Sequence, residues 1–379
     1  MRKHWVDNLR WVTVLLVLLY HVFYFYNNKG VFGGIGGFGP WPEFKQYQDI
    51  VMYILYPWFM PLLFLLAGIS ARYALEKRPA KEWFRSRTLK LLVPATIGLF
   101  VFQWLTGYFN TAVSGYVQGQ DLLGNIPYTV PTPVRGVIKW FAWSLSGIGP
   151  LWFIQLLWLL CIVLLIVRAI DKKDKFWSLC GKSNIVVIIL LGVLFWLGEQ
   201  TLIKEPRPES ADGLLNLYKP LFYLIPFLMG YFVFSHDEIQ ERVKKAWIPL
   251  LSAACAAGIV LIATTFGQDN TSPQYLGSPL NCIYGWLACL GLMGWFSAKF
   301  DHTCPFASYM TRSSYGIYII HYLVIASLGY MMKVYTNLPP VAMYIILTVA
   351  VFALSPLLYE ILRRIPFIRW CVFGEKKSK

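Results

Sequence analysis

Residues 9–26 read LRWVTVLLVLLYHVFYFY. The run is apolar except for Arg10 at its start, Thr13, and His21 inside it. Arg10 and His21 are eleven positions apart. At about 100° per residue that is three turns and roughly 20° more, so the two side chains share one helix face about 16 Å apart along the axis. A cation at the mouth of a membrane span stands below an imidazole near mid-membrane. Taken singly, Arg10 reads as a topology anchor and His21 as a packing histidine bonded to a neighbouring helix. An ionisable side chain at membrane depth is disfavoured by at least a few kcal/mol unless paired or hydrated, which makes function the default reading there.

The rest of the chain supports the membrane setting. Of 379 residues, 57% are hydrophobic and 14% charged, against about a quarter charged in soluble domains, and mean hydropathy is +0.53. Runs of eighteen or more apolar residues recur throughout, and the short alternating segments of a β-barrel are not seen. The expected fold is all-α and polytopic, with about ten spans near 9–28, 49–75, 89–110, 148–169, 184–203, 215–235, 247–267, 279–298, 313–332 and 341–362. One integral membrane domain covers 1–379, with a tail from about 364. The N-terminal basic residues and apolar run suggest a signal peptide, but the run is too long and lacks a small-residue cleavage site, so it is read as a retained helix.

The net charge of +15 does not indicate nucleic-acid binding, because the basic residues lie in short loops between spans. With both termini cytoplasmic, 26 of the 34 Lys and Arg fall on the inner side, as the positive-inside rule predicts. The glycine-rich loop 29–48 contains a G-x-G-x-x-G match at Gly34, Gly36 and Gly39. No strand precedes it and it faces outward, so it reads as a flexible loop rather than a nucleotide site. Within the long outer loop 111–147, Val134–Leu145 is rich in Trp and Phe and reads as an interfacial helix. Pro57 and Pro61 interrupt the second span, and Ala67, Gly68 and Ser70 permit close packing. The seven scattered cysteines suggest no disulfide framework, and the lone Asp301–His302–Cys304 group suggests no metal site.

Further polar groups lie within the spans. His321 is nine residues past Arg312 and enters the membrane about as far as His21; Tyr315 and Tyr318 lie on nearby turns. Gln155 follows LWF in the fourth span, Asn281 opens the eighth, Glu199 is near the outer end of the fifth, and Glu360 lies close to Arg363 and Arg364 as an ion pair.

These residues carry a resemblance to the type-three membrane acyltransferases, multi-pass O-acyltransferases of glycans and other exported molecules. Arg10 to His21 matches that family's R-x(10)-H signature, and Asp7-Asn8-Leu9-Arg10 is similar to its D-x-L-R opening. FLLAGISARY (64–73) resembles its F-x-x-S-G stretch, with Ala67-Gly68 in place of Ser-Gly; RSRTLKLLVP (85–94) resembles its basic loop, with Lys90 where Arg is frequent. GPLWFIQLL (149–157) is similar to its H-L-W-F-L segment, with Pro150 where His is frequent, and SSYGIYIIHYLVI (313–325) to its S-Y-x-I-Y-L-x-H segment. KPLFYLIPFLMGYFVFSHDEIQERV (219–243) resembles the glucan-modifying, succinyltransferase-like branch.

The resemblance implies a cytosolic acyl-CoA donor, acetyl-CoA or succinyl-CoA, with no permanently bound cofactor, and a hydroxyl-bearing acceptor, a glycan above all. Arg10, Arg85, Arg87 and Lys90 would clamp the donor phosphates. His21 would act as general base on the acceptor hydroxyl or carry the acyl group transiently, with Arg10 beneath it and His321 as its rival. Asp7, Trp152, Gln155 and Tyr318 would contact substrate. The implied setting is a bacterial cell membrane, with no extra hydrolase-type domain appended. Two other classes compete: a secondary transporter or flippase without bond chemistry, and a sensor whose histidine protonates.

Overall fold

In a computed structural model, the chain is described over residues 3–26, 49–118, 131–203, 218–270 and 272–375. The glycine-rich loop 29–48 and the basic residues Lys204 and Arg207 lie outside the described residues. Helix dominates what is described and no strand occurs among those residues. Among the described residues, nine helical stretches are long and apolar enough to cross a membrane: 4–24, 50–77, 80–113, 151–170, 185–202, 247–265, 279–299, 305–335 and 340–362. The remaining expected span, the sixth at 215–235, appears as a shorter apolar helix, Pro220–Phe232. Lys219 at positive φ limits its start, and a turn before the strongly amphipathic helix Asp237–Lys245 limits its end. The protein is an all-α polytopic membrane protein.

Residue contacts divide the chain into two compact units. The first is Met1–Leu16, Ile50–Arg85 and Leu156–Arg312; the second is Val17–Asp49, Ser86–Gln155 and Ser313–Lys379. Helix His4–Phe25 therefore contributes its first part to one unit and the remainder to the other.

In the first unit, the proline-interrupted span is broken into Ile50–Leu55 and Phe59–Lys77, with Tyr56–Trp58 as the turn. Proline cannot donate to the preceding turn, so carbonyls are released there. Neighbours collect them: the Tyr284 hydroxyl and the Trp58 indole both donate to Ile54 O at 2.7 Å. Past the break, a Cβ on Gly68 would stand 2.1 Å from Phe227 O, and one on Gly230 would stand 2.1 Å from Leu65 O. Helices Phe59–Lys77 and Pro220–Phe232 thus cross backbone to backbone, the close approach that small residues permit. The start of His4–Phe25 is docked too. Asp301 accepts the Trp5 amide at 3.0 Å, and Asn8 donates to Phe300 O at 2.7 Å and His302 O at 2.8 Å.

In the second unit, the part of the helical stretch 80–113 that follows Arg85 carries two π-helical turns, Thr88–Leu92 and Leu99–Gln103, where an extra residue widens the helix. Gln103 ends the second turn and donates to Ile319 O at 3.1 Å, with its own Oε1 accepting from Thr106 at 2.8 Å. The helix expected in the outer loop is present as Thr132–Ser146, with Val134, Val137, Trp140, Phe141 and Leu145 exposed. Gly107 packs beneath it, where a Cβ would stand 1.7 Å from Trp143 O.

Candidate active site

The second unit brings together two histidines that are 300 residues apart in sequence. His21 Nδ1 and His321 Nε2 lie 3.0 Å apart, and both rings are buried. His321 Nδ1 in turn lies 2.5 Å from the Tyr318 carbonyl oxygen. A carbonyl can only accept, so His321 carries its hydrogen on Nδ1. In the neutral ring that leaves His321 Nε2 as an acceptor, and the proton in the 3.0 Å contact belongs to His21 Nδ1. The Val17 carbonyl, one turn back, bonds the same His21 ring. The chain of donors therefore runs from His21 to His321 to the Tyr318 carbonyl, and His21 Nε2 is left with the lone pair.

The surroundings fix both rings. Tyr322 presents its edge to His21 (centroids 4.7 Å, 73°) and to His321 (5.1 Å, 89°), and Tyr20 does the same to His21 (5.4 Å, 76°). Tyr322 is held against Gly149, which has φ +33; a Cβ there would stand 2.8 Å from Tyr322 Cδ1. Glycine is therefore required at 149 for its backbone conformation and for the space it leaves. The neighbouring Pro150 carbonyl accepts the Tyr318 hydroxyl at 2.5 Å, and Phe153 meets the Tyr318 ring edge-on at 6.0 Å. Gln155, one turn on, donates to Ala95 O at 3.2 Å. Tyr318 and Gln155 thus tie segment 149–155 into the unit, while half-buried Trp152 contacts Phe153 edge-on.

The other expected residues fall in two places. In the first unit, Arg10 pairs with Asp7 at 3.1 Å and donates to Ser70 Oγ at 2.5 Å; Ser70 donates onward to Leu66 O. Asp7, Arg10 and the small-residue stretch of the second span are thereby joined. Arg85 is exposed on helix Ala80–Arg87 of the same unit. In the second unit, half-buried Arg87 immediately precedes the first π-helical turn and exposed Lys90 sits on it, with Lys90 Nζ 5.4 Å from the Tyr315 ring centroid. Glu360 pairs with Arg363 at 3.2 Å, as expected from their spacing.

One charged cluster in the first unit was not expected. Arg72 is 6% exposed and forks onto Asp174 at 2.7 and 3.1 Å. It also donates to Glu76 at 2.8 Å and stacks over Trp177 at 4.1 Å. Trp177 stacks on His236 at 3.8 Å. Hydrogen bonds from Arg72 hold the Asp174 carboxyl below its ordinary value, against the opposing effect of burial. In sequence Arg72 counts only as one more inner-side cation, because its partner is 102 residues away.

Fold and buried histidine pair together define a multi-pass membrane protein with two imidazoles in contact inside its second unit. The sequence family described as acyltransferase domain, acyltransferase 3, matches residues 3–360. The chain belongs to that family, and it is a membrane acyltransferase. No curated protein and no solved structure matches it.

Proposed function

We propose that the protein transfers an acetyl or succinyl group from cytosolic acyl-CoA to a hydroxyl of a glycan or another exported acceptor, with His21 as general base. The observation that supports this most is the ordered contact from the Tyr318 carbonyl through His321 to His21. It leaves His21 Nε2 with the lone pair a base needs, and it leaves His321 as the group that orients the ring. In the step, His21 Nε2 takes the acceptor's hydroxyl proton as the oxygen attacks the thioester carbonyl carbon. The carbon–sulfur bond then breaks, and the departing thiolate takes that proton from His21. The new ester and free CoA account for every atom. The His321 contact offsets the positive charge that His21 carries between the two proton transfers.

Arg10, Arg85, Arg87 and Lys90 serve as donor-phosphate contacts in this reading. Phosphate recognition favours exposed or half-exposed cations of this kind, and Arg10 is preset by Asp7 and Ser70. Both termini face the cytoplasm of a bacterial cell, as the Lys and Arg bias supports.

The test is purified protein with radiolabelled acetyl-CoA or succinyl-CoA and candidate hydroxyl acceptors. Label appearing in the acceptor with release of CoA, abolished by His21→Ala, is the expected result. Acceptor movement across liposomes with the thioester intact would instead identify a transporter.

A further inference from the structure

Residues 366–375 read PFIRWCVFGE. Helix Pro366–Cys371 keeps Phe367 and Trp370 exposed, yet from its last residue on the chain turns inward: Cys371, Val372 and Phe373 are all buried. The Cys371 carbonyl lies where a Cβ on Gly98 would come within 2.6 Å, so this segment packs against the backbone between the two π-helical turns. Gly374 then adopts φ +60, and a Cβ there would stand 2.6 Å from Leu89 O and 2.7 Å from Lys90 Cα. Both the conformation and the space demand glycine. The left-handed residue folds the chain back, with Gly374 N–H on Trp370 O and Glu375 N–H on Arg369 O, each at 3.1 Å.

A second set of contacts reaches the same turn. Glu375 Oε1 accepts the Tyr359 hydroxyl at 3.0 Å. Tyr359 meets Phe373 edge-on at 5.1 Å and lies against Gly316. The adjoining Tyr315 donates its hydroxyl to the Lys90 carbonyl and places its ring beneath the Lys90 ammonium. The Leu89–Lys90 backbone is therefore held by Gly374 and by Tyr315. A π-turn is a widened, rarely populated form of helix that persists where its surroundings impose it; here Val93 N–H reaches back to Thr88 O.

We propose that Cys371–Glu375 is a positioning clasp for the basic segment Arg87–Lys90, holding the turn Thr88–Leu92 in the widened form that directs Lys90 toward the donor's phosphates. The proposal rests on the reading of Arg87 and Lys90 as donor contacts. The clasp touches the backbone of the turn, so it acts through Lys90 and not on the donor itself.

The experiment compares Gly374→Ala, Lys90→Ala and the double variant in the purified full chain. Hydrogen exchange is followed at the amides of residues 88–92, and donor KM and kcat are measured in parallel. Gly374→Ala is expected to speed exchange at 88–92 about tenfold and to raise donor KM about tenfold with kcat within about twofold. The double variant should match Lys90→Ala alone, since the two changes remove one effect. Unchanged exchange at 88–92 overturns the clasp. Faster exchange with additive KM effects, or with a fall in kcat alone, overturns its positioning role. An unchanged donor KM in Lys90→Ala refutes the phosphate contact beneath it, and is recognised because it occurs with the clasp intact. Should Gly374→Ala not fold, Tyr359→Phe and Glu375→Ala each remove the same hydrogen bond and carry the same comparison.

Discussion

If His321 orients His21, the two histidines respond to substitution unequally. His21→Ala removes the base and should lower kcat by on the order of 10²–10⁴ with donor binding retained. His321→Ala removes one buried contact of 3.0 Å, which becomes charge-assisted when His21 takes a proton. Such a bond is worth about 1.5–3 kcal/mol, and about 1.4 kcal/mol is a factor of ten, so the expected loss is about ten- to a hundredfold. Glutamine separates the roles. His321→Gln retains an amide oxygen that can accept from His21 Nδ1 and should recover much of the loss, whereas His21→Gln cannot take a proton and should remain as inactive as His21→Ala. The double alanine variant should be no worse than His21→Ala, as for residues acting as one unit. The assay is transfer from labelled acyl-CoA by folded, purified variants, with donor binding measured separately. Activity in His21→Gln together with its absence in His321→Gln would reverse the assignment. Full activity in both alanine variants would refute the histidine mechanism.

Three other outcomes test the surrounding structure. Arg85→Ala/Arg87→Ala should raise donor KM more than it lowers kcat, because phosphate contacts hold ground state and transition state alike; unchanged donor binding would leave those residues a topological role only. Arg72→Lys loses the fork onto Asp174 and should destabilise the fold by about 2–3 kcal/mol, less than a wholly buried pair because Asp174 is partly exposed; an unchanged melting temperature would refute this. The same pair sets a pH dependence. Arg72 lowers the folded-state pKa of Asp174, so the unfolded chain binds the proton first as pH falls. The stabilisation is complete above the ordinary carboxyl range and is lost as pH drops through the folded-state value. The melting-temperature gap between wild type and Asp174→Asn should therefore close below about pH 4, and a gap that widens there would contradict the sign. For orientation, exposed Cys304, left as the sole cysteine, should react with an impermeant maleimide only after the membrane is opened.

Several local features of this protein could be read from its sequence. Long apolar runs must form helices in lipid, where every backbone amide needs an internal partner, so the all-α class and the spans followed from composition and length. Proline at 57 located the break in the second span, and a spacing of three placed Glu360 beside Arg363. Helical periodicity put Arg10 and His21 on one face, and the ordered motifs pointed to the acyltransferase family. Pairings between helices were decided by the tertiary structure alone. Nothing periodic links His21 to His321, Arg72 to Asp174, or Gly374 to Lys90, because side chains distant in sequence meet only when whole helices pack. The same holds for hydrogen placement on the two imidazoles. The sequence favoured His21 over its rival His321 without linking them; the Tyr318 carbonyl, which can only accept, orders the hydrogens along the pair.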